Sequence, residues 1–228
     1  MKKFLFLSII ATALSTPAMA TTVNIGGTSM QFTPADSLIG TSGAFDESAS
    51  PYNQIDPTTT AFKNIVTSDP GTYVYGHTSS TSAKINLGFS TNVFSHAGTD
   101  LAIYTIGNGY SFYLDVFDTN NTSMLSQKYD VNVSDATTSC LTGISPCMPV
   151  SVKAIDLGTS FNGRQIGKIS IDIGNNYFKN YTQNGQMFTA YSNFALAGSV
   201  TPVPLPLPII LFSSGLALLG WVGHKKTA

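Results

Sequence analysis

Apolar and polar residues alternate through the middle of this chain, and this alternation constrains its fold more than any other feature. In residues 168–173, for example, three isoleucines alternate with a lysine, a serine and an aspartate. A β-strand places successive side chains on opposite faces, so the pattern predicts a strand with one buried and one solvated face. The same reasoning predicts strands at residues 23–25, 73–75, 84–89, 101–106, 111–116, 128–133, 150–157 and 194–198.

Many short strands separated by turn residues indicate an all-β fold, and we expect one antiparallel β-sandwich, jelly-roll-like, over residues 21–201. Gly107-Asn108-Gly109 predicts a tight hairpin turn between two of the strands. Residues 58–66 predict one short helix. Residues 32–72 are rich in serine, threonine, aspartate and proline and give no clear strand pattern. Since long structureless loops are rare in compact domains, we expect this stretch to hold a short helix or strands, or to wrap around the sandwich.

The first twenty residues are typical of a targeting segment. Lys2 and Lys3 precede an apolar run over residues 4–14, and Ala18-Met19-Ala20 matches a small-x-small cleavage site. Together these features predict a secretory signal peptide, residues 1–20, that is cut before Thr21. An N-terminal membrane anchor is the alternative, although the apolar run is short for a membrane span.

The C-terminal end combines a stiff spacer, an apolar run and a basic tail. Prolines alternate through residues 202–208 and favour an extended conformation. Residues 209–223 carry no charge, and as a helix they would be about 22 Å long, against roughly 30 Å for the hydrocarbon core of a bilayer. The lysines of the tail, residues 224–228, would stay in the cytoplasm. Such a short transmembrane helix suits either a tail that is recognised and removed or a plain single-pass anchor.

This end of the chain resembles the C-terminal sorting signal of PEP-CTERM proteins of Gram-negative bacteria, in the variant with a V-P-L-P core. The stretch L-F-S-S-G-L at residues 211–216 keeps the register of that signal. Ser213 replaces the usual glycine, and the closing cations are lysines where the family prefers arginines. The residues that carry the resemblance are Val203, Pro204, Leu205, Pro206, Gly215, Lys225 and Lys226.

The resemblance implies a destination for the protein. An exosortase-type membrane enzyme would process the tail, so the precursor would be held in the inner membrane before the product reaches the cell surface or the extracellular matrix. Bacteria with such signals make exopolysaccharide, which implies a role in biofilm. Residues 85–118 are also similar to jelly-roll domains common in PEP-CTERM proteins, which look like discoidin-type, galactose-binding-like sandwiches.

Charge and composition exclude one class of partner. Residues 21–201 hold twelve carboxylates but seven cations, a formal net charge of −5, and include a single arginine. Nucleic acid is bound through several cations that neutralise its phosphates, and no basic cluster is present. We therefore expect no nucleic-acid partner.

Two cysteines, Cys140 and Cys147, are separated by six residues that include Gly143 and Pro146. An exported chain meets an oxidising compartment, so the pair predicts a local disulfide across a turn. A metal site is the alternative, but it needs more soft ligands than two thiols.

The residues that catalysis requires are scarce. The body carries two histidines, His77 and His96, and one glutamate, Glu47, and none of the common hydrolase or metalloprotease motifs is present. Asp115 and Asp118 could form a carboxylate pair, but Asp115 lies on the polar face of a strand and Asp118 starts a turn, so solvation and turn capping are the better explanation. We expect no enzyme; a secreted carbohydrate-active hydrolase that uses aspartates is the alternative.

Binding needs less than catalysis does. Tyrosine offers an apolar ring face and a polar hydroxyl, so several tyrosines could stack on sugar rings, although they are also common in strands. Asp100 follows Gly98-Thr99 in a loop and is a candidate calcium ligand, with turn capping as the alternative. No other cofactor is expected. The tyrosines in question are Tyr104, Tyr110, Tyr113, Tyr177, Tyr181 and Tyr191.

Together these features predict a non-enzymatic surface or extracellular-matrix protein that is sorted through its tail and binds carbohydrate. An adhesin-like, membrane-anchored structural subunit remains the third hypothesis. The sequence names no ligand.

Overall fold

Antiparallel β-strands make up most of the part of the chain that the structure describes. The computed structural model describes residues 21–25, 28–47, 54–67, 73–140 and 149–201. The predicted signal peptide and the predicted sorting tail lie outside these residues. Within the described ranges, no helix is long and apolar enough to cross a membrane.

The elements are numbered along the chain. The helix α1 is Thr60–Thr67. The strands are β1 (Thr21–Ile25), β2 (Thr28–Pro34), β3 (Ser37–Ser42), β4 (Phe45–Glu47), β5 (Gln54–Ile55), β6 (Val74–Gly76), β7 (Lys84–Phe94), β8 (Leu101–Ile106), β9 (Tyr110–Asp118), β10 (Ser123–Val131), β11 (Ala136–Cys140), β12 (Pro149–Ile155), β13 (Gln165–Asp172), β14 (Lys179–Gln183), β15 (Gln186–Ala190), β16 (Asn193–Phe194) and β17 (Leu196–Thr201).

Two large sheets form the body, and two small ones complete it. The six-stranded sheet has the order β1-β2-β17-β8-β12-β11, and the five-stranded sheet has the order β10-β9-β13-β7-β3. Strands β16-β6-β4-β5 form a third sheet, and β14 and β15 form a separate hairpin. All pairings are antiparallel. The prediction of an all-β, antiparallel sandwich is therefore confirmed.

The core draws buried side chains from both large sheets. Leu101 and Ile103 of β8 lie in one apolar cluster with Leu114 and Val116 of β9 and with Ile171 of β13. Burial alternates along β9, as its sequence pattern predicts, so the residues between the core positions face outward. The alternation thus fixes which side chains remain available on the outer face of the five-stranded sheet.

One predicted connection is wrong. Gly107 and Gly109 do take the positive φ values of a tight turn, +74° and +85°. However, β8 belongs to the six-stranded sheet and β9 to the five-stranded sheet, so the turn passes between the two sheets instead of closing a hairpin. The strand predicted at 128–133 also ends early, at Val131, because the Asn132 amide donates to Asp135 and starts a 3-10 turn. Val133 is 75% exposed as a result.

The stretch without a strand pattern, residues 32–72, contains the end of β2, the three strands β3 to β5, and α1. The helix predicted at 58–66 is confirmed at Thr60–Thr67, where the Thr59 hydroxyl accepts from the Phe62 amide at 3.2 Å and caps its first turn. Phe62 packs on Phe45 of β4, with ring centroids 5.0 Å apart. The described residues of this region are therefore part of the folded body.

Candidate functional site

The outer face of the five-stranded sheet carries rows of polar and aromatic side chains. One row runs across four strands, from Lys128 through Tyr113 and Asp172 to Lys84. The next row along the strands places Asp115 between Ser126 and Ser170, with Asn86 beyond. The inward neighbours of these residues fill the core, so the rows face away from it. Strand alternation thus builds a polar and aromatic surface on this sheet.

Tyr113 and Tyr177 form the aromatic centre of this face. Their ring centroids are 6.3 Å apart, with an interplanar angle of 35°, and both residues are half-buried. Tyr113 stands on β9, whereas Tyr177 ends the short 3-10 turn Asn175–Tyr177 that follows β13. We call Tyr113, Tyr177, Asp115 and Ser126 the tyrosine patch.

Asp172 fixes the start of the 3-10 turn that ends at Tyr177. One of its carboxylate oxygens accepts from the amides of Ala83 and Gly174, at 2.9 and 3.0 Å, and the other accepts from the Ser82 hydroxyl at 2.6 Å. Gly174 lies so close to this loop that an added Cβ would stand 2.5 Å from the Ser82 Cα. The position of Tyr177 is therefore set by a buried carboxylate and a glycine.

A directed chain of hydrogen bonds runs along the other side of the patch. The Ser126 hydroxyl donates to Asp115 Oδ1 at 2.6 Å. A serine hydroxyl has a single proton, so Ser126 can donate no second hydrogen bond. The Tyr113 hydroxyl, 3.1 Å from the Ser126 oxygen, must then be the donor of that contact. Asp115 lies at the end of the chain as a half-buried acceptor that faces solvent.

The Tyr177 hydroxyl sits among acidic groups. Burial raises the pKa of Tyr177, and the charges of Asp172, Tyr113 and Asp115 raise it further. The phenol therefore keeps its proton at neutral pH and can donate a hydrogen bond to a ligand.

His77 is paired with a buried carboxylate. Its Nδ1 donates to both oxygens of Asp46, each at 2.9 Å, and Asp46 is fully buried. Its backbone amide donates to the Ala44 carbonyl and extends the pairing of β6 with β4. Sequence reasoning missed Asp46, because it lies 31 residues away on a three-residue strand with no periodic pattern.

A second aromatic group surrounds this pair of strands. Tyr75 lies on β6, which pairs with β4 on one side and β16 on the other. It stands opposite Asp46 of β4 and Asn193 of β16. Its ring centroid is 5.7 Å from that of Tyr191, which meets Phe178 edge-on at 4.9 Å. Tyr191 and Tyr177 thus belong to different aromatic groups, joined through Phe178.

Asp100, the candidate calcium ligand, is fully buried beneath two loops. Oδ1 accepts from the His96 amide at 2.6 Å, and Oδ2 accepts from the Leu157 amide at 2.7 Å. His96 Nε2 donates to the Val200 carbonyl, so the histidine also joins loops. Across the described ranges, no group of three metal-ligating side chains is present. These contacts give Asp100 a turn-capping role, and calcium at this position stays an untested prediction.

Asp115 and Asp118 do not share a site. Asp118 is buried at the end of β9, where Oδ1 accepts from the amides of Asn120 and Thr122, each at 2.8 Å. Its Oδ2 lies 3.7 Å from Arg164. Asp115 lies on the outer sheet face, and Glu47, the one glutamate of the body, ends β4.

The remaining predicted residues have separate places. Tyr110 is buried in the core and donates to the Ile106 carbonyl at 2.8 Å, and burial raises its pKa. Tyr104 belongs to a second apolar cluster on the outer face of the six-stranded sheet, 5.2 Å from Phe32 between ring centroids. Tyr181 lies on β14. Cys140 ends β11, but Cys147 is outside the described residues, so the disulfide stays a prediction.

Comparison with known proteins identifies no family. No family profile matches the chain, and no curated protein matches it. Among solved structures it is similar to CpGH89CBM32-4 from Clostridium perfringens. The selenomethionine-labelled form has 14% identity and a TM-score of 0.41, covering 74% of this chain and 99% of that one. The complex with GlcNAc-α-1,4-galactose has 13% identity and a TM-score of 0.41, covering 75% and 94%.

Proposed function

We propose that this chain is an exported, non-enzymatic surface or matrix protein whose β-sandwich, of the jelly-roll type, binds carbohydrate at the tyrosine patch. The observation that carries this proposal is the pairing of Tyr113 and Tyr177 beside the Ser126–Asp115 hydrogen bond. The two rings suit the apolar face of a sugar, and the hydrogen-bonded carboxylate suits its hydroxyl groups.

A pyranose ring has an apolar C–H face and a rim of hydroxyl groups. The apolar face packs on aromatic rings, as other apolar groups do, and the two half-buried tyrosines offer such rings at the surface. The hydroxyls need acceptors and donors that are already oriented. Asp115 supplies an acceptor fixed by Ser126, and the protonated Tyr177 supplies a donor.

Export and sorting complete the proposal. The predicted signal peptide at residues 1–20 and the resemblance of residues 203–226 to a PEP-CTERM signal support secretion, followed by processing by an exosortase-type enzyme at the inner membrane. Mass spectrometry of the extracellular fraction should then find a chain that starts near Thr21 and lacks residue 209 onward. An intact tail in the inner membrane at steady state would favour the single-pass anchor.

The binding test compares two aromatic residues of the same type. We expect the exported protein to bind at least one polysaccharide in affinity electrophoresis, and Tyr177→Ala to weaken that binding about tenfold, since an aromatic contact contributes on the order of 1 kcal/mol beyond its buried area. Tyr191→Ala, in the other aromatic group, is the matched control and should bind normally. Equal losses in both variants, or no binding to a broad glycan panel, would overturn the proposal.

A secreted hydrolase is the second candidate, and the Asp46–His77 pair is the observation that favours it. A buried carboxylate that orients a histidine through Nδ1 is the arrangement of a general base. Among the described residues, no hydroxyl or thiol is hydrogen-bonded to His77 Nε2, and a nucleophilic mechanism needs such a partner. Polysaccharide turnover by the exported protein, lost in His77→Ala under conditions where that variant is still folded, would establish this candidate in place of the non-enzymatic one.

A further inference from the structure

We propose that the tyrosine patch is selective for anionic polysaccharides, those whose sugars carry carboxylate or sulfate groups. This inference rests on the proposed function, because it names the chemical class of the ligand for the same site. It follows from the placement of lysines around the patch.

The lysines are concentrated on one face of an acidic protein. Four of the seven cations in residues 21–201 lie on or beside the outer face of the five-stranded sheet, although this part of the chain has a net charge of −5. Three stand on its strands at outward positions, and the fourth begins β14 and reaches across to β10. They are Lys84, Lys128, Lys168 and Lys179.

Two of the four already have partners. Lys179 Nζ lies 2.7 Å from Asp130 Oδ1, and Lys168 Nζ lies over the Phe117 ring, 4.3 Å from its centroid. Bonds from Lys179 and Ser111, together with the nearby charge of Lys128, lower the pKa of Asp130. Asp130 therefore stays ionised and neutralises part of the positive charge at this end of the face.

Lys84 and Lys128 are different. Within the ranges that the structure describes, neither ammonium lies within 4.0 Å of a carboxylate oxygen. Asp172 stands between Lys84 and Tyr113 in the same row. Both of its carboxylate oxygens already accept hydrogen bonds, from Ser82, Ala83 and Gly174. Both lysines thus keep their charge available to a ligand.

The two lysines flank the patch at opposite ends of one row. Three strand spacings separate them, so their backbones are about 14 Å apart, with Tyr113 between them. A polysaccharide lying across the strands would place one sugar on the tyrosines and its neighbours beside the lysines. A neutral polysaccharide would leave both ammonium groups without partners. In an acidic polysaccharide, the charged sugars on either side of the one that contacts the tyrosines would pair with them.

The test uses one polymer in two charge states. The mature exported protein is titrated with polygalacturonate and with the same polymer after methyl esterification, which removes the charge and keeps the sugar. We expect binding to the acidic form to be at least tenfold tighter and to weaken with salt, because exposed ion pairs are screened. Lys84→Gln and Lys128→Gln should each weaken it about three- to fivefold, the scale of a surface ion pair. Lys63→Gln, on α1, is the matched control and should have no effect.

The outcomes separate this inference from the proposed function. Equal binding of both polymer forms that depends on Tyr177 but not on the lysines would overturn the anionic selectivity and leave carbohydrate binding intact. Equally tight binding to double-stranded DNA would also overturn it, because charge alone would then explain the affinity. Failure to bind polygalacturonate, alginate, hyaluronan and their uncharged forms would overturn both.

Discussion

His77 donates from Nδ1 to both carboxylate oxygens of Asp46, at 2.9 Å each, and the carboxylate it meets is fully buried. The pair joins the end of β6 to β4, two neighbouring strands of the four-stranded sheet. Since a buried charge without a partner is costly, this contact is a structural requirement whatever His77 does at its other nitrogen.

Replacing His77 by alanine should therefore destabilise the fold. The change leaves the buried Asp46 carboxylate without its hydrogen-bond donor, and we expect the free energy of unfolding to fall by about 3 kcal/mol at neutral pH. Urea denaturation measures this loss. The double variant Asp46→Asn, His77→Ala should recover part of it, because the unpaired charge is gone. A stability unchanged within 0.5 kcal/mol, on the order of a surface substitution, would contradict this role for the pair.

Asp100 predicts a pH dependence of stability. Burial is the largest influence on this carboxyl and raises its pKa, despite the two amides that donate to it. A carboxyl whose pKa is raised by folding contributes stability that is fully present below the unfolded value, about 3.9, and is lost as the pH rises through the folded value. The wild-type protein should thus lose this contribution as the pH rises above about 4.

The variant Asp100→Asn isolates this effect. Its amide group offers one acceptor to the two backbone donors, His96 and Leu157, so we expect a loss of about 1–3 kcal/mol at pH 4. The difference in unfolding free energy between the variant and the wild type should narrow toward pH 7, since the asparagine side chain does not titrate. Urea unfolding at several pH values measures both the loss at pH 4 and its change with pH. An unaltered slope in Asp100→Asn would contradict the assignment.

Gly174 and Gly40 make a matched pair of substitutions. An alanine Cβ at Gly174 would overlap the Thr81 carbonyl and the Ser82 Cα, so Gly174→Ala should cost about 1–3 kcal/mol and displace Tyr177. Gly40→Ala, where no atom lies within 4 Å of the added carbon, should change stability by less than about 0.5 kcal/mol. Thermal unfolding and polysaccharide affinity, measured on both, check the two effects. Similar values for the two variants would show that the close approach at Gly174 is unimportant.

The predicted disulfide between Cys140 and Cys147 closes a short loop. In the loop-entropy model such a bridge contributes about 2–3 kcal/mol, so Cys140→Ser and mild reduction should lower stability by similar amounts. Thiol titration of the unreduced, exported protein under denaturing conditions should find no free thiol. Two titratable thiols per chain would rule the bridge out.

The strand predictions with the clearest alternation of apolar and polar residues fall on long strands. Along β9 the apolar residues point into one core, so a period of two in the sequence mirrors burial in the structure. Along β13 the isoleucines also enter the core, but the polar residues Ser170 and Asp172 between them are buried too. The strands β4, β5 and β16 have only two or three residues, and no period can be read from so few. Their pairing partners lie far along the chain, and tertiary contacts decide their conformation.

The candidate site was predictable only in part. Tyr113 and Asp115 were recognisable as outward residues of one strand, and Tyr177 as a surface aromatic. Tyr177 lies near Tyr113 because Asp172 and Gly174 fix the turn between β13 and Tyr177. Both residues do so through contacts with the loop at Ser82, which is distant in sequence, so the sequence pattern could not indicate their roles. For the same reason the glycines at 107 and 109 indicated a turn correctly, but could not indicate that its two ends enter different sheets.

The position of β17 has a mechanical consequence. This strand is the last that the structure describes, and it is paired on both sides, with β2 through Gly198–Thr201 and with β8 through Leu196–Ser199. A pull applied at Thr201 along the strand acts parallel to both neighbours and perpendicular to the hydrogen bonds between them. Those bonds then resist together in shear instead of opening one after another. A body held by the segment that follows Thr201 would therefore withstand drag from flowing liquid far better than one held by an edge strand.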